Sequence, residues 1–591
     1  MSNKMTYLES IKFLLGSKSK RLLPLVLIFL LSSLVDLLGI GLIGGYIAVI
    51  LDPLFIMKVQ EMFPAFDYIN NSTHEETILA IGYILFAAFV VKFCLVVFIN
   101  HRIFHFGYFE QAKIQKIMIT GFLHQDYETF ILSKNAESLA SISQYSSMYK
   151  DVLVGGLQVL SSILVIIAAF IMLAVVSIKT VALLFLIIFI IFYIYNLVFA
   201  RRLDAAGKAT AKGSANIFKG TQDAAEGIKE IKTLGKEALF IDSVSNSADE
   251  IAKGGVRLNI FTILPRNMIE VALIGFIVLV VTLNVLFDEN LGEALSILSV
   301  FAAAMIRITP LISQLQSSAN SIVFGREGVL TLARIMKDQG VDVNKNLDSL
   351  EQDAPAKLKV IFNQLKLENI SYTYPNASKP SISQINLEIN QGDFIGLIGP
   401  SGSGKTTLVD IILGFLKPSE GTLKFNSHDA HKDISSWLSH CAYLPQDIFL
   451  MNGTLKENIT LSRDDIKNEK LEEALKLSRL ASILTDLENG LDTNIGDKGV
   501  RLSGGQKQRV SIARAIFNKS DVLVLDESTS ALDSLTEAAV ITELMTLRDE
   551  KTIIAIAHRI STLKECNKIF KVNNGRVEGP FTYQDIASEG T

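Results

Sequence analysis

Gly399-Pro400-Ser401-Gly402-Ser403-Gly404-Lys405-Thr406-Thr407 follows an apolar run, Phe394-Ile395-Gly396-Leu397-Ile398, and opens a helix-like stretch over 406–416. G-x-x-x-x-G-K-[ST] between a strand and a helix is the pattern of a loop that wraps phosphates. Its glycines let the backbone curl so that successive N–H groups point inward, and the helix start adds partial positive charge. Lys405 reaches the outer phosphates of a nucleoside triphosphate, and the Thr406 hydroxyl is placed to ligate Mg²⁺. The whole stretch 399–407 is therefore expected to line a nucleoside triphosphate site within an α/β domain.

Other segments of this domain read outward from the loop. Residues 365–374 and 384–389 read as strands upstream. Tyr374 lies at the end of the first, where a ring can stack on a base. Downstream, Val522-Leu523-Val524-Leu525 is a buried-strand run ending in Asp526-Glu527. An aspartate there holds Mg²⁺, and the adjoining Glu527 is placed to polarise an attacking water. Between the two motifs, Leu502-Ser503-Gly504-Gly505-Gln506 opens a further helix and forms a second anion-binding surface. Both surfaces belong to one domain, so a nucleotide can be sandwiched between two copies.

Upstream of about residue 320 the character changes. The chain has 591 residues, 49 % of them hydrophobic, and the apolar ones collect here in runs long enough to cross a bilayer. Spans are expected near 22–51, 78–100, 153–176, 180–200, 268–287 and 293–313. The basic segment 1–21 precedes a run too long for a signal-peptide core, which reads as a retained anchor. Within it Leu8, Ile11 and Leu15 suit either a helix on the membrane surface or an ordinary lead-in.

Lysine and arginine place the long connections 101–152 and 201–267 in the cytoplasm, where they should extend the membrane helices. Their tips, His124-Gln125-Asp126-Tyr127-Glu128-Thr129-Phe130 and Ala225-Glu226-Gly227-Ile228-Lys229-Glu230, are expected to touch the nucleotide-binding unit. Phe55, Val59, Met62, Phe63 and Phe66 suggest an amphipathic helix at the outer interface. Asp36, Lys92, Glu270 and Arg307 interrupt the spans and should face protein or a wet cavity. Arg307, just before Pro310, either meets a polar, anionic substrate or pairs with a structural carboxylate.

The net charge of −4 contains no block of like charge, which argues against a nucleic-acid partner. Cys94, Cys441 and Cys566 are too few and scattered for a disulfide framework or a metal site.

Residues 360–575 resemble the nucleotide-binding domain of ABC transporters. Besides the motifs above, Tyr443-Leu444-Pro445-Gln446-Asp447 is similar to the Q-loop, Ser530-Ala531-Leu532-Asp533 to the D-loop and Ala557-His558-Arg559 to the switch-histidine segment. The resemblance implies Gln446 near Mg²⁺ and the attacking water, His558 near the γ-phosphate and Tyr374 stacked on the base. It places Leu502, Ser503, Gly504, Gly505, Gln506 and Asp533 against a nucleotide held by a second copy.

Six spans fused ahead of such a domain resemble an exporter half-transporter: a helical transmembrane domain with long cytoplasmic extensions, followed by an α/β phosphate-loop ATPase. The implied organisation is a leading segment 1–21, a transmembrane domain 22–325, a linker 326–357 and an ATPase domain 358–591. A homodimer with two active ATP·Mg²⁺ sites is the simplest expectation, in a bacterial inner membrane with the ATPase domain in the cytoplasm. Pro265-Arg266 with Glu270, and Arg307 with Pro310, are similar to lipid-linked oligosaccharide flippases. That similarity implies an amphipathic, lipid-like substrate met by Arg266, Glu270 and Arg307. Export of peptides or hydrophobic drugs, and an ATP-gated channel or regulatory membrane protein, remain the alternatives.

Overall fold

The computed structural model describes residues 5–16, 24, 74–132, 140–176, 178–286, 291–340, 360–375, 377–462, 469–484, 487–496, 499–526, 551–557 and 563–589. The chain divides into two units, one of residues 1–125 and 132–349, the other of residues 126–131 and 350–591.

The first unit is helical: α1 (Tyr7–Leu15), α2 (His74–His124), α4 (Ser146–Val176), α5 (Ile178–Glu226), α6 (Ile228–Leu234), α7 (Glu237–Leu286) and α8 (Leu291–Asp338). Among the described residues, four stretches are long and apolar enough to cross a membrane: Ile78–His124, Ser141–Ala168, Val181–Glu226 and Glu237–Leu279. The expected span 22–51 and the amphipathic stretch 55–66 lie outside the described residues, and 293–313 falls within α8. α2 leaves Tyr83, Phe86 and Phe93 exposed, and α5 leaves Phe185, Phe189 and Tyr193 stacked in series along one side. Such aromatic surfaces suit lipid rather than water.

Elsewhere these helices pack closely on each other. α8 runs along α4, and α7 along α5. Where α5 meets α8, a Cβ at Gly207 would collide with the Phe324 carbonyl, so only glycine allows that approach. α1 begins on a capping box between Thr6 and Glu9 and buries Leu14 and Leu15 against Ile114, Met118, Tyr149 and Met336. Leu8 points away, 77 % exposed.

Pro265 lies inside α7. Lacking an N–H, it cannot bond the carbonyl four residues earlier, that of Phe261. Two other helices supply the missing donors. Tyr195 Oη of α5 donates to the Phe261 oxygen at 2.6 Å, and Asn320 Nδ2 of α8 donates to it at 3.0 Å. Gln316 Nε2 in turn donates to Asn320 Oδ1 at 3.0 Å, and all four residues are buried. A carbonyl orphaned by sequence is thus closed by tertiary structure.

The second unit contains the short helix α3 (Tyr127–Leu132) and an α/β domain. Strands β1 (Gln364–Tyr372), β2 (Ile382–Asn390), β4 (Glu420–Phe425) and β5 (His428–Asp429) form an antiparallel sheet in the order β2-β1-β4-β5. The main sheet has the order β10-β9-β3-β8-β7-β6, built from β3 (Phe394–Ile398), β6 (Cys441–Leu444), β7 (Val522–Asp526), β8 (Thr552–Ile556), β9 (Lys568–Asn573) and β10 (Arg576–Phe581). It is parallel except for β10.

Helices α9 (Lys405–Ile412), α10 (Ile434–His440), α11 (Leu455–Thr460), α12 (Glu469–Leu477), α13 (Ala481–Leu484), α14 (Gly504–Phe517) and α15 (Tyr583–Glu589) complete the domain. β3, β7 and β8 are buried almost throughout, as continuous apolar runs require. Leu397 and Asp526 both pair with Ile556, so the carboxyl ends of β3 and β7 flank that of β8. Ligands of open parallel sheets bind at this end.

Candidate nucleotide site

The loop after β3 lines a cavity of about 620 Å³ through Ser401, Gly402, Gly404, Lys405, Thr406 and Thr407, with Asp526 at the end of β7. Gly404 caps α9 at φ +104° with no side-chain hydrogen bond. A Cβ there would stand 2.8 Å from the Ser381 carbonyl, so glycine is required both by conformation and by space. The first-turn N–H groups of α9 are directed at a ligand by this geometry. Lys405 is buried, its Nζ donating to the carbonyls of Gly399 at 2.9 Å and Pro400 at 3.0 Å. These bonds fold the ammonium back over its own loop.

Tyr374 stands beside the loop, its hydroxyl 3.3 Å from Thr407 Oγ1. Behind it Tyr372 packs edge-on at 5.0 Å and donates to Glu128 Oε1 at 2.9 Å. Burial, followed by the bond to Glu128, pushes the Tyr372 hydroxyl above its usual range. Tyr127 of the same short helix packs on Phe415 at 5.1 Å. The first cytoplasmic tip is therefore part of the ATPase unit. The second, around α6, is grouped with the helical unit instead.

Asp526 accepts a hydrogen bond on Oδ2 from the Tyr443 hydroxyl at 2.8 Å. Burial and then this bond raise the Tyr443 hydroxyl above its usual range. Asp410, on α9, is raised to about 6 by burial and by the charge of Asp526.

Thr406 and Asp526 offer hard oxygen donors on one cavity. Among the described residues no three His, Cys, Asp or Glu side chains gather as a metal cage. One carboxylate and one hydroxyl beside a phosphate loop fit Mg²⁺, which takes its other ligands from water and phosphate. Gln446 is exposed just beyond β6. Glu527, Asp533 and His558 lie outside the described residues.

The second glycine-rich helix start is built differently. Ser503 caps α14, its Oγ accepting from Gln506 N at 3.3 Å while Gln506 Oε1 accepts from Ser503 N at 2.8 Å. Ser503 and Gly504 are exposed, and no described residue of 502–506 lines the cavity of the phosphate loop.

Some of the wall is absent from the motif reading. Lys379, Pro380 and Ser381, before β2, line the cavity with Asn574 and Gly575 of the β9–β10 turn. Gly575 N donates to the Ser403 carbonyl, and Ser383 N to that of Gly575, so these segments brace the loop. Asn-Gly does signal a hairpin turn, but nothing local ties that turn to a nucleotide.

In the helical unit two of the expected substrate residues, Arg266 and Glu270, lie together. Arg266 Nε donates to Glu270 Oε1 at 3.2 Å, one turn away on exposed helix surface, so these two neutralise each other. The Arg307 side chain lies outside the described residues. A cavity of about 520 Å³ is lined instead by Lys92, Asn100, Gln158, Gln314 and Pro310, with Phe89 and Phe93 among its apolar walls.

Two family models match the chain: the ABC transporter transmembrane region over residues 38–309 and the ABC transporter model over residues 382–530. An ATP-dependent lipid A-core flippase of Cupriavidus pinatubonensis is 30 % identical over 393 residues, 65 % of this chain and 64 % of the relative. The protein of the same name from Chromobacterium violaceum is 37 % identical over 239 residues, 40 % of this chain and 41 % of the relative. ABC transporter B family member 1 of Dictyostelium discoideum is 25 % identical over 481 residues, 80 % of this chain and 52 % of the relative. The matches thus span less than two thirds of each of these relatives. In fold, the chain is similar to a bacterial Atm1-family ABC exporter solved with ATP bound, at a TM-score of 0.73, 19 % identity and 97 % coverage of both chains. With the transmembrane region and the ATPase domain matched in succession on one polypeptide, the chain belongs to the ABC transporter family.

Proposed function

We propose that the protein is an ATP-driven exporter or flippase that works as a homodimer and moves a lipid-linked oligosaccharide or related glycolipid to the outer leaflet. One observation carries this reading: a phosphate-loop cavity joining Lys405, Thr406 and Asp526 on the same chain as apolar, aromatic-faced helices. Glycolipid is favoured because two relatives are named lipid A-core flippases. Six spans, with 293–313 in α8 as the sixth, return the chain to the cytoplasmic side of a bacterial inner membrane.

In this reading residues 399–407 hold the phosphates, Tyr374 stacks on the base, and Thr406, Asp526 and Gln446 hold Mg²⁺. Bound there, the cation would neutralise charge between the outer phosphates. Glu527 takes a proton from the attacking water, and His558 and Gln446 orient the water and γ-phosphate. Leu502, Ser503, Gly504, Gly505, Gln506 and Asp533 of a second copy close over the nucleotide. ATP binding draws the copies together and turns the helices outward, and hydrolysis resets them. α3 braces the base-binding tyrosine from behind, through Glu128 and Tyr372.

The test is ATPase activity in nanodiscs with and without polyprenyl-pyrophosphate oligosaccharide and lipid A-core. Stimulation by a glycolipid, lost in Glu527→Gln along with basal turnover, is expected. Stimulation by peptides or drugs and not by glycolipids would overturn the substrate. Near-normal turnover of Glu527→Gln would overturn its role as base.

A further inference from the structure

The phosphate-loop cavity has two cations in its wall. Lys405 is buried, and its ammonium is held by the carbonyls of its own loop. Lys379, on the segment before β2, is exposed and lines the same cavity. Among the described residues its ammonium has no ion-pair or hydrogen-bond partner. The other described lining side chains are neutral, except for the anionic Asp526.

A lysine on open surface swings freely in solvent, but the backbone under Lys379 is clamped. Pro380 follows it and fixes one dihedral. Ser381 N donates to the Tyr372 carbonyl at 2.9 Å, which ties the segment to β1. The Ser381 carbonyl is the atom that a Cβ would meet at 2.8 Å from Gly404 and at 2.7 Å from Gly575. Ser383 N donates to the Gly575 carbonyl at 2.8 Å, and Gly575 N to that of Ser403 at 3.0 Å. The lysine stem thus starts from a backbone fixed to β1, to the β9–β10 turn and, through that turn, to the phosphate loop.

Its place along the chain matters as much. Lys379 follows Tyr374 by five residues, and two residues later the chain lies against Gly404. Tyr374 is assigned to the base and Lys405 to the outer phosphates. Between those parts a nucleoside triphosphate has its ribose and its α-phosphate, and only the second is charged. Mg²⁺ and Lys405 offset the charge of the outer two phosphates. The α-phosphate is left for the other cation.

We infer that Lys379 is a nucleotide-binding residue whose ammonium closes on the α-phosphate from the segment before β2. This rests on the proposed assignment of residues 399–407 to the phosphates and of Tyr374 to the base.

The experiment uses the full chain in nanodiscs with EDTA present, so that nothing is hydrolysed. Displacement of a fluorescent ATP analogue by ATP, ADP and AMP gives an affinity for each, and the α-phosphate is the one phosphate they share. Lys379→Met keeps the length of the side chain and removes its charge. It should lower all three affinities by the same factor, about fivefold at low salt, with the loss shrinking as salt is raised. Lys379→Arg should recover most of the loss. Lys405→Ala, read alongside, should weaken ATP far more than AMP.

A loss from Lys379→Met confined to ATP, or to ATP and ADP, would move the contact to an outer phosphate and overturn the inference. So would the absence of any loss. An equal loss in Lys379→Arg would also overturn it, because the cause would then be the shape of the segment and not its charge. Unchanged ATP affinity in Lys405→Ala would instead overturn the phosphate assignment on which the inference rests.

Discussion

Two helices of the ATPase unit begin on glycine-rich turns and finish their first turns in opposite ways. At α9 the cap is Gly404, left-handed and without a side-chain bond. At α14 the cap is Ser503, extended and locked to Gln506. The first arrangement leaves backbone N–H groups to a ligand, whereas the second satisfies the N–H groups of Ser503 and Gln506 within the turn. A third site completes the contrast. Pro265 frees a carbonyl in α7, and Tyr195 and Asn320 close it completely. Backbone groups left open mark a ligand site, and those closed from several directions mark a joint.

The largest expected effect breaks the open arrangement. Gly404→Ala would force a side chain into left-handed backbone and against the Ser381 carbonyl. Lys405→Ala would remove the cation. Each should lower nucleotide affinity or turnover at least about a hundredfold, checked by calorimetric titration with ATP and by ATPase rate. Wild-type binding by Gly404→Ala would mean that α9 does not present its N–H groups as described.

The open site was legible in the sequence because its demands are local. Glycines, lysine and hydroxyl sit within nine consecutive positions, and β3 and β7 are short apolar runs bounded by polar residues. The closed joint was half legible: Pro265 announces a freed carbonyl at Phe261 but cannot name the helices that satisfy it. Lys379 and Asn574 went unread for the same reason, since only the fold brings them to the cavity. Arg266 and Glu270 teach a different lesson. Their spacing of four is that of an ion pair on one helix face, which the structure forms. The two cytoplasmic tips look alike as sequence, yet only the first is gathered with the ATPase unit.

A middle-sized effect tests the closed joint. Tyr195→Phe removes one of two donors to the Phe261 carbonyl and should cost about 1 kcal/mol. Asn320→Leu strips the second donor and also the acceptor of Gln316, for about 2–3 kcal/mol. The decisive variant is Pro265→Ala, which restores an N–H four residues beyond Phe261. In that background the cost of Tyr195→Phe should fall by half or more, measured as unfolding midpoints of the protein in nanodiscs. Equal costs in both backgrounds would show that Tyr195 packs there without serving the proline break.

The smallest effect concerns the electrostatics of the open site. Asp410 lies one turn into α9, half-buried, with its pKa raised from 3.8 to about 6 by burial and then by Asp526. Between these two values the folded chain keeps a proton that the unfolded chain has lost. Asp410 therefore costs no stability below about pH 4, costs progressively more as pH rises, and costs its full amount above about pH 6. Solvent screening at this half-exposed position reduces the penalty to about 1 kcal/mol. Asp410→Asn should accordingly raise the nucleotide-free unfolding midpoint by a few degrees at pH 7.5, about half as much at pH 5 and hardly at all near pH 4. An equal gain at all three pH values would place the cause in packing instead. The helix that opens on Gly404 thus carries a carboxylate held unfavourably by burial and by Asp526, which lines the cavity.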